Sequence, residues 1–187
     1  DRRQRQMCIR DSLYGVRGRE TIHLWQGNES VLGFDLDVSD LENRQNKYGP
    51  GGVTTWDFPT QTLFSPYLAI SQTFGSDNGF HVTPSAGIRG YVSDLFQDYI
   101  SPQAGLVLGY GNTNLSVSYA RGVNYPSPVI LQNFLGNKDL PGNIDPKDIK
   151  PEVVDHYEVS LSHVQPELFS LSATWFHDDG RDRLRAY

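Results

Sequence analysis

The stretch "IKPEVVDHYEVSLSHVQPELFSLSATWF" (149–176) constrains the fold more than any other part of the chain. Tyr157, Val159 and Leu161 alternate with Glu158, Ser160 and Ser162. After the short gap "HVQPE", Phe169, Leu171, Ala173 and Trp175 alternate with Ser170, Ser172 and Thr174. Side chains on a strand point to opposite faces with period two, so each run is a strand with one apolar and one hydrophilic face. The apolar faces need surroundings other than water, either a protein core or hydrocarbon.

The same pattern recurs from residue 20 to 177. It reads as about eight strands, near 20–26, 30–38, 62–74, 80–92, 98–110, 114–121 and the opening pair. Leu32, Phe34, Leu36 and Val38 share one face. So do Phe64, Leu68, Ile70 and Phe74; then Phe80, Val82, Ala86, Ile88 and Val92; then Ile100, Ala104, Leu106, Leu108 and Tyr110; then Leu115, Val117 and Tyr119. No stretch reads as a helix. Pro66 and Pro102 are expected at strand starts, and Pro84, in mid-run, is expected to force a bulge or a break.

Connection lengths alternate with the strands. "GNE" (27–29), "GSDNG" (75–79), "GNT" (111–113) and "QPE" (165–167) are short. "SDLFQ" (93–97) is intermediate, and the segments 41–61 and 122–152 are long. In an antiparallel series every second connection lies at the same end, so one end carries tight turns and the other mostly long loops. Strands of ~10 residues, short turns at one end and long loops at the other suit a membrane-spanning barrel better than a compact soluble domain.

Composition narrows the classes further. Net charge is −6 over 187 residues, which disfavours nucleic acid. No apolar run approaches the ~20 residues of a membrane helix. The basic opening "DRRQRQMCIRDS" holds the only Cys, Cys8, and the only Met, Met7. Residues 1–12 are expected to be a non-native or disordered leader, with the strand-rich region over 13–187. Without Cys8, no thiol or cysteine–metal chemistry remains.

Five fragments, in order, resemble the barrel of TonB-dependent outer-membrane receptors. "SAGIRGY" (85–91) resembles the strand that ends in Gly-x-Arg-Tyr-Asp, although the Tyr-Asp pair is missing. "SPQAGLVLGY" (101–110) resembles the Ser-Pro-x-x-Gly-Leu strand. "LSVSYARGVNYPSP" (115–128), "IKPEVVDHYEVSLS" (149–162) and "SATWFHDD" (172–179) are similar to three later strand signatures. The resemblance implies an all-β fold, an antiparallel transmembrane β-barrel fragment without plug domain or barrel ends. It implies the outer membrane of a Gram-negative bacterium and contact with outer-membrane lipid. It also implies uptake of a scarce ligand, such as a ferric siderophore or similar metal chelate, energised by TonB through the missing plug. Two alternatives stand beside it: a complete small outer-membrane barrel acting as a pore or adhesin, and a soluble carbohydrate-binding β-sandwich.

Candidate ligand contacts are long-loop residues that mix aromatic and amide groups: Tyr48, Trp56, Phe58, Tyr125, Asn133 and Phe134. They equally suit packing of the loops against one another. Trp175, Tyr99, Tyr91 and Tyr119 suit an interfacial girdle or strand ends. Asp35 and Asp37 fit a hydrated wall better than a calcium loop, which needs a Gly turn and a distal Glu. His177, Asp178, Asp179 and Asp182 cluster in sequence and have metal-ligand chemistry, but ordinary polarity explains them as well. No nucleophile elbow and no zinc-spaced His pair occurs, so no catalytic or metal residues and no cofactor are expected, and the chain is not read as an enzyme.

Overall fold

The computed structural model describes the backbone of residues 7–46, 53–57, 60–76, 79–126 and 145–182. Side chains are described for 12–40, 60–76, 79–126, 145 and 147–182. Among the described residues ten strands form one antiparallel sheet: β1 Met7–Ile22, β2 Asn28–Asn46, β3 Val53–Asp57, β4 Gln61–Gln72, β5 Phe74–Gly75, β6 Phe80–Ser93, β7 Tyr99–Tyr110, β8 Thr113–Asn124, β9 Glu152–Gln165 and β10 Phe169–Arg181. The main path is β1-β2-β4-β6-β7-β8-β9-β10, an up-and-down meander; β3 pairs only with β2, and β5 only with β6. Among the described residues there is no α-helix, only a 3-10 turn at Pro146–Asp148. Eight strands on the path match the expected number. The first one differs from expectation: β1 begins at Met7, inside the stretch expected to be a leader, and not near residue 20.

Along the main path each strand pairs with the path strand before and after it, so the sheet is built from hairpins. The tight ends are 23–27, 73–79, 111–112 and 166–168; the opposite end carries 47–60, 94–98 and 125–151. The first two turns are tied together. Gly27 takes a positive φ of 78°, and its carbonyl accepts from the Thr73 amide at 2.8 Å. Asn28, 2% exposed, donates from Nδ2 to the Ser71 carbonyl at 3.1 Å, while its Oδ1 accepts from Ser30 Oγ at 3.1 Å and the Leu24 amide at 3.3 Å. A short amide side chain thus satisfies the backbone where the chain reverses.

Register places the apolar side chains on one side of the whole sheet. Val82, Leu108, Leu115, Leu161 and Ala173 are successive cross-strand partners from β6 to β10. One row away, Leu106, Val117, Val159 and Trp175 pair in the same way. Across β2, β4 and β6, Leu32 meets Leu68, which meets Ile88. Directly opposed residues share a face, so these rows make one apolar surface. It is bare: Leu68 is 52% exposed, Leu161 48% and Leu171 64%. Among the described residues the buried hydrophobic side chains are Phe96, Ile149 and Val153, and none belongs to those rows. A sandwich would need a second sheet over this surface, whereas the described residues form a single sheet.

The height of the apolar surface supports hydrocarbon as its solvent. From Ile100 to Tyr110 there are ten steps of ~3.4 Å along β7; at a barrel tilt of ~40° that is about 26 Å, close to the ~25 Å band of outer-membrane barrels. β1 and β10 each pair on one side only among the described residues, so the sheet is not closed.

The prolines sit differently from expectation. Pro66 lies in the middle of β4, not at its start, and Pro102 is the fourth residue of β7. β6 runs through Pro84 without a break. In each case the ladder is interrupted on one side only. Pairing of β4 with β6 skips Ser65 and Pro66, pairing of β6 with β4 and β5 skips Thr83 and Pro84, and pairing of β7 with β8 starts after Pro102. An antiparallel residue directs its N–H and C=O to the same neighbour, so a proline disturbs one ladder and leaves the other intact. At Pro102 the loss is repaired. Ser101 Oγ donates to the carbonyl of Arg121, which lies opposite Pro102 in the register of β7 on β8.

Candidate functional site

Three places on the sheet collect chemistry. The first is on the polar face of β1, β2, β4 and β6. Asp35 pairs with the Arg89 guanidinium, and Arg17 approaches Asp35 at 3.7 Å and Asp37 at 3.5 Å. The Arg89 guanidinium carbon lies 5.2 Å from the Tyr67 ring centre and 5.6 Å from that of Tyr91, within cation–π range. Arg89 Nε is buried and has no hydrogen-bond partner among the described atoms. Gly33 makes the arrangement possible: it faces Tyr67 directly, and a Cβ there would lie 2.5 Å from the Tyr67 hydroxyl. The ring occupies the space the glycine leaves.

Further along the same face, small side chains leave a concavity of about 380 Å³, whose lining includes Val31, Ala69, Ser71, Ser85, Gln103 and Gly105. At the β9–β10 side, His156 Nδ1 is 2.5 Å from Asp178 Oδ1, and Nε2 is 3.6 Å from Glu158 Oε2. A carboxylate therefore stands where a catalytic triad would place a hydroxyl nucleophile, and the imidazole is held between two acids.

The second place is the long-loop end. Ser93 Oγ accepts from the amides of Leu95 and Phe96 at 3.2 and 3.1 Å, and the Asp98 carboxylate accepts from the Ser93 amide at 3.0 Å. These bonds fold 94–98 into a compact turn. Phe96, 2% exposed, stacks on Tyr125 at 5.4 Å between centroids and packs with Ile149. Tyr125 also meets Tyr91 edge-on at 6.2 Å and donates its hydroxyl to the Gln97 carbonyl at 2.8 Å. Burial, with the Asp98 charge nearby, pushes the Tyr125 hydroxyl up to about 12.

The third place is on the apolar face, toward the same end, across β8, β9 and β10. Tyr119 and Tyr157 rings lie 5.1 Å apart, Tyr157 and His177 6.3 Å, and His177 and Trp175 6.4 Å. Directly beyond this aromatic row toward the loop end, Asp155 is almost completely buried. Its carboxylate accepts from Tyr119 Oη at 2.7 Å, Arg121 Nε at 2.8 Å and Arg121 Nη2 at 3.1 Å, and pairs with Arg181.

Of the residues expected to touch ligand, only Tyr125 has a described side chain, and it packs the loop end as given above. The backbone of Trp56 lies in β3, opposite Asn43. Tyr48, Phe58, Asn133 and Phe134 lie outside the described residues. Trp175 and Tyr119 are in the girdle-like row, whereas Tyr91 and Tyr99 oppose each other on the polar face. The sequence cluster His177, Asp178, Asp179 and Asp182 is divided by the alternation of β10: His177 and Asp179 are on the apolar face, Asp178 on the other. No group of three or more metal-ligating side chains occurs among the described residues. Sequence reasoning missed the Arg121–Asp155–Arg181 group. Its signal was present, since each of the three falls at an apolar parity in its strand.

The family model described as TonB dependent receptor-like, beta-barrel, matches residues 3–187. That family consists of receptors and transporters of the Gram-negative outer membrane. No curated protein and no solved structure matches the chain significantly.

Proposed function

Because the chain belongs to the TonB-dependent receptor β-barrel family, we propose that it forms part of the wall of an outer-membrane receptor that takes up a scarce ligand, a ferric siderophore or similar metal chelate. The apolar face meets acyl chains and the polar face lines the hydrated interior. TonB acts through a plug domain of the complete receptor, and this portion of wall contributes no covalent chemistry. The observation that carries the reading is the single bare apolar surface of about bilayer height, backed by charged and hydroxyl side chains. Ligand specificity falls to the long-loop end, where Tyr48, Trp56, Phe58, Tyr125, Asn133 and Phe134 offer rings for stacking and amides for the polar atoms of a chelate.

Two measurements on the intact receptor test this. Spin labels at Leu106, Val117 and Leu171 in bilayers should be relaxed by oxygen dissolved in lipid and shielded from aqueous nickel reagents. The reverse result would remove the membrane assignment. Binding of ferric chelates, cobalamin and oligosaccharides by calorimetry should single out the chelates. Trp56→Ala with Phe134→Ala should weaken that binding roughly tenfold, about 1.4 kcal/mol; unchanged affinity would move the ligand site elsewhere.

A further inference from the structure

A buried carboxylate on a lipid-facing wall needs an explanation, because charge is costly there unless it is paired. Asp155 is more than paired. It receives hydrogen bonds from Tyr119, Arg121 and Arg181 and holds two guanidinium groups side by side. The side chains of Arg121 and Arg181 remain 32% and 58% exposed, against 3% for Asp155. Arg121 spends Nε and Nη2 on the carboxylate and Arg181 spends Nη2, so each arginine keeps further guanidinium donors beyond those Asp155 accepts from. A guanidinium carries five N–H groups in a plane suited to phosphate oxygens.

Position adds a second argument. The group lies on the apolar face, immediately beyond the row Tyr119–Tyr157–His177, at the end of the wall that carries the long connections. Aromatic rings of this kind mark the boundary between hydrocarbon and headgroups. Charges one step beyond the boundary sit at headgroup level, where phosphate is the abundant anion and where Arg is at its least costly.

We propose that Arg121 and Arg181, clamped by Asp155, bind the phosphate of a lipid headgroup in the leaflet on the long-loop side. Asp155 is a positioning residue: it sets the separation and orientation of the two guanidinium groups. Asp179, cross-strand from Asp155 on the same face, opposes the anion and sets a limit on its affinity. The inference rests on the reading that the apolar face meets lipid.

The test uses the intact receptor in nanodiscs of neutral lipid, titrated with lipid A bearing its phosphates or with the same lipid A dephosphorylated, and read by native mass spectrometry. The phosphorylated form should be retained at least tenfold more strongly. Arg181→Gln, at the exposed position, should lower that preference severalfold, and Asp179→Asn should raise it. Arg17→Gln, on the polar face, should leave it unchanged. Equal retention of both forms, or a preference unaffected by Arg181→Gln, overturns the proposal. Competition by inorganic phosphate at matched concentration overturns the lipid and leaves a free-anion site. Oxygen accessibility at Val117 and Leu171, measured on the same samples, separates failure of this proposal from failure of the membrane reading.

Discussion

The molecule uses the same ingredients twice, on opposite faces. On the polar face, Arg17 and Arg89 meet Asp35 and Asp37; on the apolar face, Arg121 and Arg181 meet Asp155. The first group is open. Arg17, at its edge, is 72% exposed against 18% for Asp35, and an aromatic ring takes part in place of a hydroxyl donor. The second is closed around one carboxylate whose hydrogen bonds all come from side chains. The difference teaches how surroundings decide the form of an ion pair. Where water is available, a carboxylate can leave lone pairs to solvent. Where it is not, every acceptor site must be filled by protein.

The largest expected effect comes from removing the acid on each side. Asp155→Asn removes the shared acceptor of two partly exposed arginines and a tyrosine and should lower unfolding stability of the intact receptor by about 2–3 kcal/mol, the scale of charge-assisted hydrogen bonds lost at a buried group. Asp35→Asn should cost less than about 1 kcal/mol, and the cost should shrink further in high salt. Urea unfolding in lipid vesicles measures both. Similar losses at the two sites would break the comparison.

A smaller effect sharpens it. Tyr119→Phe removes one donor from Asp155 and should cost about 1–2 kcal/mol, since the acceptor left behind is buried. Tyr67→Phe keeps the ring beside Arg89 and should be nearly neutral, because the cation–π contact needs only the ring face.

The smallest effect at neutral pH belongs to the loop end, which is neither lipid nor open water. Tyr125 has its hydroxyl raised to about 12 by burial, against an ordinary value near 10. A raised value means the folded state favours the protonated form, so its contribution is complete below about pH 10. It is lost as pH rises toward 12. Phenolate absorbance of the wild-type receptor minus that of Tyr125→Phe should therefore show a late-titrating tyrosine. Melting of the Phe96 packing should follow in the same window, read by proteolysis of the 94–98 turn.

Much of the fold was legible in the sequence because a two-residue period is visible in any window. The face shared by Leu32, Phe34 and Leu36, the hairpin ending at Trp175, and the alternation of short and long connections all follow from it. The reach of β1 back to Met7 was not legible, because its opening residues Met7 to Ser12 show no apolar–polar alternation and gain order from sixteen residues of pairing with β2. The prolines were misjudged for a related reason. A single sequence shows that a donor is missing, but not that the other ladder remains whole or that Ser101 repairs the gap at Arg121. Of the site, Asp35 and Asp37 were readable as residues of a hydrated wall, while their partners, twenty and fifty-odd positions away, were not.

By itself the sequence determined which side chains go together onto each face, since Cβ direction along a strand depends only on parity. Tertiary structure decided which charges meet. Arg121, Asp155 and Arg181 lie far apart in the chain and become neighbours only through the register of β8 on β9 and β9 on β10. A shift of one residue in either pairing would put that strand's arginine on the opposite face from Asp155, so the group exists only because the cross-strand apolar rows lock that register.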